Sequence, residues 1–157
     1  MPVNTPHKVG ERVHIVSRYY GMAWLCPMDK HVLKMIMTDM LLQASFCSVP
    51  ELPAALEVFL LDDARMSKAN RQYMHLNGPT NVLSFPGGRG ALGTLLLSLD
   101  TMYRECLLYD QEVCQHMLRL LAHGMGHLCG MDHSVAMNAL CDRLQDHAFE
   151  IMESLAS

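Results

Sequence analysis

Residues 123–133 read HGMGHLCGMDH, and the spacing of the three histidines decides which fold can carry them. In an α-helix, residues four apart share a face, with Cβ atoms about 5–6 Å apart. His123 and His127 can therefore aim two imidazoles at one ion, at Zn–N distances of about 2.0–2.1 Å. A third ligand has to arrive from another direction. Gly130 allows this, because glycine accepts the left-handed conformation that ends a helix, and the reversed chain brings His133 round to the same ion. Three neutral imidazoles leave a fourth position for water, the pattern of a catalytic rather than a structural zinc site. Water held there is acidified toward neutrality. One Zn2+ per chain is the expectation, although imidazole also suits nickel, copper and iron.

Nine histidines are present in all, and most single helical histidines are surface or core residues. His7, His14, His31, His75 and His147 carry no spacing signal. His116 lies two turns before His123 on the same face, too far to share its ion. Cys129 lies inside the motif and is expected to point into the core. Asp132 has two open readings: it accepts a hydrogen bond from a ligand imidazole, or it caps the following helix.

HxxxHxxGxxH is also the spacing of the metzincin peptidases, which place a glutamate general base directly after the first histidine. Here that residue is Gly124. Asp110 and Glu112 are three turns or more away along the helix, so the peptidase reading lacks its proton carrier.

Outward from the motif, Arg12–Arg18 alternates polar and apolar residues and reads as a strand. Lys30 to Phe46 has helical spacing at 32, 33, 36, 37, 40 and 41, broken by Pro50 and Pro53. Leu56–Leu61 is strand-like, and Asp62 and Asp63 are good N-caps for a helix through about Tyr73. A turn at Asn77-Gly78-Pro79 leads to a strand at Thr80–Phe85, closed by Pro86-Gly87-Gly88. Leu92–Leu99 reads as a central, buried strand. Asp110 to Leu128 is the metal-site helix and Val135 to Leu155 the last one. The expectation is a single α+β domain over residues 1–157, a small mixed sheet packed with helices and a zincin-like metal-site helix.

Composition narrows the function. The chain has 157 residues, half of them hydrophobic, which suits one ordinary core. A formal charge of −4 lacks the overall basic character of a general nucleic-acid binder, but leaves room for a local basic groove. MPVNTPHKVG has no apolar core of signal-peptide length, and no apolar stretch is long enough to span a bilayer. Six cysteines form no CxxC pair and read as free thiols. A soluble cytoplasmic protein without membrane attachment is expected.

HGMGHLCGMDH, together with PTNVLSFP at 79–86, resembles the YbeY family of bacterial ribosomal-RNA maturation factors. Members of that family carry a motif of the form HGxLHLxGYDH and, about forty residues earlier, TNVLSFP or TDVLSFP. The similarity in order and length covers nearly the whole chain. It implies a metal-dependent, single-strand-specific endoribonuclease acting on precursor ribosomal RNA near the 3′ end of the small-subunit RNA. It also implies a part in ribosome quality control, with ribosomal RNA and small-subunit components as partners. His123, His127 and His133 inherit the ligand role, and Thr80–Pro86 would line the groove. Asn81, Ser84 and Phe85, with Lys68 and Arg89, are the substrate-binding candidates. Lys68, Arg71 and Arg89 would form the basic patch that RNA phosphates need, and Tyr73 and Phe85 could stack on unpaired bases.

The sequence departs from the family pattern in several places. Where the family has arginine in LNxxYR, this chain has Met74, which cannot stabilise charge on a phosphate. Arg71, one turn back, is the catalytic substitute the sequence offers. Thr94 stands in place of the aspartate of LGD, Ser134-Val135-Ala136 in place of an acidic run, and Gly126 and Met131 in place of leucine and tyrosine. Two readings of function follow: an active zinc endoribonuclease, or a metal-binding ribosome-assembly factor with little cleavage.

Overall fold

The computed structural model describes residues 13–45, 54–87 and 91–157. Its apolar runs assemble into a four-stranded sheet with helices on both faces. In chain order the elements are β1 (Val13–Arg18), α1 (Lys30–Ser45), β2 (Ala54–Leu61), α2 (Asp63–Met74), β3 (Val82–Pro86), β4 (Ala91–Ser98), α3 (Leu99–Tyr109), α4 (Val113–Leu128) and α5 (Val135–Ala156). The strand order is β1-β2-β4-β3. β1 and β2 run parallel, as do β2 and β4, while β3 returns antiparallel along β4 with Ser84 opposite Leu95. The sheet is mixed, and β4 is interior and buried, as the run of leucines requires.

Strand periodicity divides the apolar residues between two layers. Leu56, Val58, Leu60, Leu95 and Leu97 join the main core with α1, α4 and α5. The alternate residues Phe59, Leu61 and Leu96 turn the other way and pack with Met66 of α2, Leu83 and Phe85. The metal-motif helix therefore lies on the main-core face, and α2 on the other.

Local chemistry sets the helix ends. Asp62 accepts a hydrogen bond from the Arg65 amide at 2.8 Å and starts α2. Glu112 accepts from the amides of Cys114 and Gln115 and starts α4, three residues after the start expected from the sequence. Asp110 instead takes a left-handed conformation that closes α3. α3 itself was not expected: β4 passes into it without a glycine or proline, and Ser98 is both the last strand residue and the N-cap, accepting from the Thr101 amide at 3.2 Å. Cys26, Cys106, Cys114, Cys129 and Cys141 are free thiols. Among the described residues, no helix is long and apolar enough to cross a membrane.

Candidate metal centre

The end of α4 is built by backbone hydrogen bonds around Gly130. The Gly130 amide donates to the His127 carbonyl at 2.9 Å and the Met131 amide to the Gly126 carbonyl at 3.2 Å, the paired bonds of a Schellman motif. Gly130 has φ +77°, where a side chain would be strained. The reversal carries the chain to His133.

The three imidazoles meet. Ring centroids of His123, His127 and His133 lie 4.6, 5.1 and 5.0 Å apart, and one nitrogen from each falls within 4.8 Å of the others. No other histidine, cysteine or carboxylate among the described residues joins this cluster. His127 donates from Nδ1 to the Met131 carbonyl at 3.1 Å, which fixes its tautomer and turns the Nε2 lone pair inward, the usual outer-shell arrangement of a metal-bound histidine. Its Nε2 lies 3.1 Å from the Nε2 of His123. Two ligands at zinc bond lengths and the tetrahedral angle lie about 3.3 Å apart, so the donor set fits such an ion. Burial, followed by the proximity of His127 and His133, pushes the pKa of His123 below its ordinary value. This favours the neutral ring that coordination needs.

The Met131 carbonyl thus holds the position considered for Asp132. Asp132 is exposed, and Ser134 caps α5 by accepting from the Met137 amide at 3.2 Å. Cys129 is partly buried against the main core and stands outside the histidine cluster.

Gly124 and Gly126 set how closely α4 is approached. A Cβ at Gly124 would meet Leu95 Cδ2 at 2.8 Å and Val82 Cγ2 and Ser84 Oγ at 3.3 Å, so this face of the helix is pressed onto the sheet. There is no room for the glutamate a metzincin would place there. A Cβ at Gly126 would meet Met137 and Cys141 of α5. Glycine at 126 thus gives up helix propensity, about 1 kcal/mol, for a close helix–helix approach.

His123 and His127 open into a groove of about 580 Å³, bordered by Met74, Asn81–Ser84, His116, Arg119 and Leu120. Asn81 is held in place: its side-chain amide donates to Glu105 at 3.2 Å and its side-chain oxygen accepts from the Val82 amide at 2.7 Å. The Ser84 hydroxyl donates to the Gly124 carbonyl at 3.0 Å. Both residues border the groove.

Residues 26–156 match the family described as Endoribonuclease YbeY. The chain belongs to the YbeY family. The Endoribonuclease YbeY of Nitratidesulfovibrio vulgaris is 39% identical over 114 residues, covering 59% of this chain and 70% of that protein. That of Oleidesulfovibrio alaskensis is 31% identical over 147 residues, covering 78% and 84%. The solution structure of TM1509 from Thermotoga maritima shares the fold, with a TM-score of 0.59 at 18% identity over 90% of this chain and 92% of that one.

The other candidates are dispersed. Phe85 sits one residue from Ser84 on the strand, so it faces the opposite side of the sheet and packs edge-on against Tyr73, with centroids 5.2 Å apart. It lines a second hollow with Glu57, Phe59, Tyr73, Thr94 and Leu96. Lys68 and Arg71 are on α2 and do not border the histidine groove. Arg89 lies outside the described residues. Met74, which stands where the YbeY pattern has arginine, does border the groove and is 48% exposed.

Sequence reasoning placed His116 on this face but gave it no role, and it missed Arg119, which also borders the groove, and Glu105, which stands beside His116 and Asn81. His116 is only 5% exposed, and neither ring nitrogen has a hydrogen-bond partner among the described residues. Its Nε2 stands 3.8 Å from Glu105 Oε1. The i−7 and i−4 spacings from His123 that place His116 and Arg119 along this face were legible in the sequence; Glu105 was not, because it belongs to the unexpected α3.

Proposed function

We propose that the chain is a zinc-dependent, single-strand-specific endoribonuclease that acts in the cytoplasm on precursor ribosomal RNA, near the 3′ end of the small-subunit RNA, in company with small-subunit components. One observation carries this reading: three histidine nitrogens converge on one point at the edge of an open groove, in a chain of the YbeY family. A three-histidine set with no fourth protein ligand among the described residues is the pattern of a reacting site.

In this reading His123, His127 and His133 hold the ion, which supplies Lewis acidity beside the groove. His127 is kept in register by the Met131 carbonyl. Val82 and Leu120 give the groove an apolar wall against which an unpaired base can lie, while Asn81 and Ser84 hold that wall in place through Glu105 and Gly124. Gly124 leaves no carboxylate beside the first histidine, so peptide hydrolysis lacks its proton carrier.

The test is a cleavage assay with zinc-loaded protein on matched single-stranded and duplex RNA. Chelator-sensitive cutting of the single strand alone is the expected result. Chelator-sensitive digestion of casein, or RNA cutting that survives removal of all transition metal, overturns the proposal.

A further inference from the structure

The groove contains a cation that no motif singles out. Arg119 lies one helical turn before His123 on α4, so the two share a face, and among the described residues Arg119 is the only lysine or arginine that borders the groove. Three other arginines are engaged elsewhere. Arg65 pairs with Asp62 at 2.7 Å and Arg104 with Asp63 at 2.8 Å, while Arg18 lies over the Phe59 ring.

Arg119 does not point at the histidines. Side chains on a helix lean toward its N-terminus, and Arg119 donates from Nη1 to Gln111 Oε1 at 2.9 Å. Gln111 precedes the first residue of α4. The guanidinium is thus displaced along the groove from the metal centre, by more than the roughly 6 Å of helix rise that separates residues 119 and 123. His116 lies between the two ends, on the same face and nine-tenths buried.

We propose that Arg119 forms a phosphate subsite for RNA, binding a backbone phosphate next to the reacting one and so setting the path of the strand along the groove. This rests on the endoribonuclease reading. A guanidinium suits the role because its planar fork donates two hydrogen bonds to one phosphate. Its exposure keeps it available to a ligand, and Gln111 holds it in position until one arrives.

The experiment uses zinc-loaded wild-type protein, Arg119→Gln and Arg119→Lys at equal metal content, with a single-stranded RNA decamer. Neutralising one phosphate contact lowers the slope of log K against log salt by about 0.7 for a single strand, which corresponds to about fivefold weaker binding at 0.1 M salt. Arg119→Gln is expected to show that loss, with KM raised more than kcat is lowered, and Arg119→Lys to recover part of it. A decamer carrying one uncharged methylphosphonate linkage, moved along the strand, should weaken wild-type binding at a linkage adjacent to the cut and leave Arg119→Gln insensitive at that linkage. Wild-type binding with Arg119→Gln indistinguishable from it overturns this inference alone, as does a sensitive linkage at the cut itself. A wild type that neither binds nor cleaves single-stranded RNA overturns the proposed function and this inference with it.

Discussion

The Ser84 hydroxyl donates to the Gly124 carbonyl at 3.0 Å, fastening β3 to the metal-site helix at the residue that follows the first histidine. Contact this close requires glycine, because a Cβ at 124 already presses on Leu95, Val82 and Ser84. Two terms compete on substitution. Gly124→Ala gains about 1 kcal/mol of helix propensity and loses about 1–3 kcal/mol to overpacking, so a net cost within about 2 kcal/mol is expected. Gly124→Glu must also bury a carboxylate against an apolar sheet, which should cost about 3 kcal/mol or more. Urea unfolding of zinc-loaded protein measures both, and casein cleavage should stay at background. Wild-type stability for the glutamate variant would mean that position 124 opens to the groove.

The metal centre makes a pH prediction for the zinc-free protein. Burial, with His127 and His133 close by, lowers the pKa of His123 in the folded state below the ordinary 6.5. Between the folded and unfolded values the unfolded chain binds more protons, so stability rises with pH there and falls as pH drops below about 6.5. The urea midpoint of metal-free protein should decrease from pH 7.5 to pH 5.5, and His123→Gln should flatten that decrease. In the loaded protein the dependence should be steeper, because three rings must shed protons to bind the ion. Alanine at His127 should leave less than a tenth of a zinc per chain by elemental analysis.

How much of this was readable beforehand depended on the range of the interactions. The histidine spacing and Gly130 are local, and the fold realises them through the two hydrogen bonds that end α4. The strands at Leu56–Leu61 and Leu92–Leu99 were legible from apolar runs. α3 was not, because its start at Leu99 follows the leucines of β4 without a breaker. The dispersal of Phe85, Lys68 and Arg71 away from the groove depends on which face of the sheet α2 covers, which a resemblance of motifs does not specify. Arg119 passed unnoticed because one arginine at helical spacing carries no signal until the groove exists.

The unexpected helix is tied down through Asp63. Its carboxylate accepts from the Ser98 hydroxyl at 2.9 Å and the Thr101 hydroxyl at 2.7 Å and pairs with Arg104 at 2.8 Å. Burial works to raise its pKa, but the hydrogen bonds from Thr101 and Ser98, with Arg104, outweigh that and hold it below 3.8. A depressed folded pKa contributes stability that is present above the unfolded value and lost as pH falls through the folded one. Asp63→Ala should therefore destabilise by about 1.5–3 kcal/mol near neutrality. The gap from wild type should narrow only at acid pH, below about 3.8, in denaturant titrations. A gap independent of pH down to that range would mean that the charge of Asp63 contributes nothing.

Met74 gives the sharpest test of how the groove treats phosphate charge. It borders the groove at the C-terminal end of α2 and is 48% exposed, so an arginine there can extend toward the histidines without displacing core. Phosphodiester cleavage builds negative charge on the phosphoryl oxygens, and a preorganised donor to such charge typically contributes a factor of about 100 or more. Even a poorly ordered guanidinium should deliver a fraction of that. Met74→Arg is expected to raise kcat on single-stranded RNA by about tenfold, mainly through kcat, whereas loss of the guanidinium at Arg119 acts mainly through KM. Arg71→Ala, on α2 but away from the groove border, should change kcat/KM less than twofold. All proteins are compared at equal zinc content. A Met74→Arg variant no faster than wild type would show that charge at this wall does not reach the reacting phosphate, and a large loss in Arg71→Ala would place Arg71 at the groove after all.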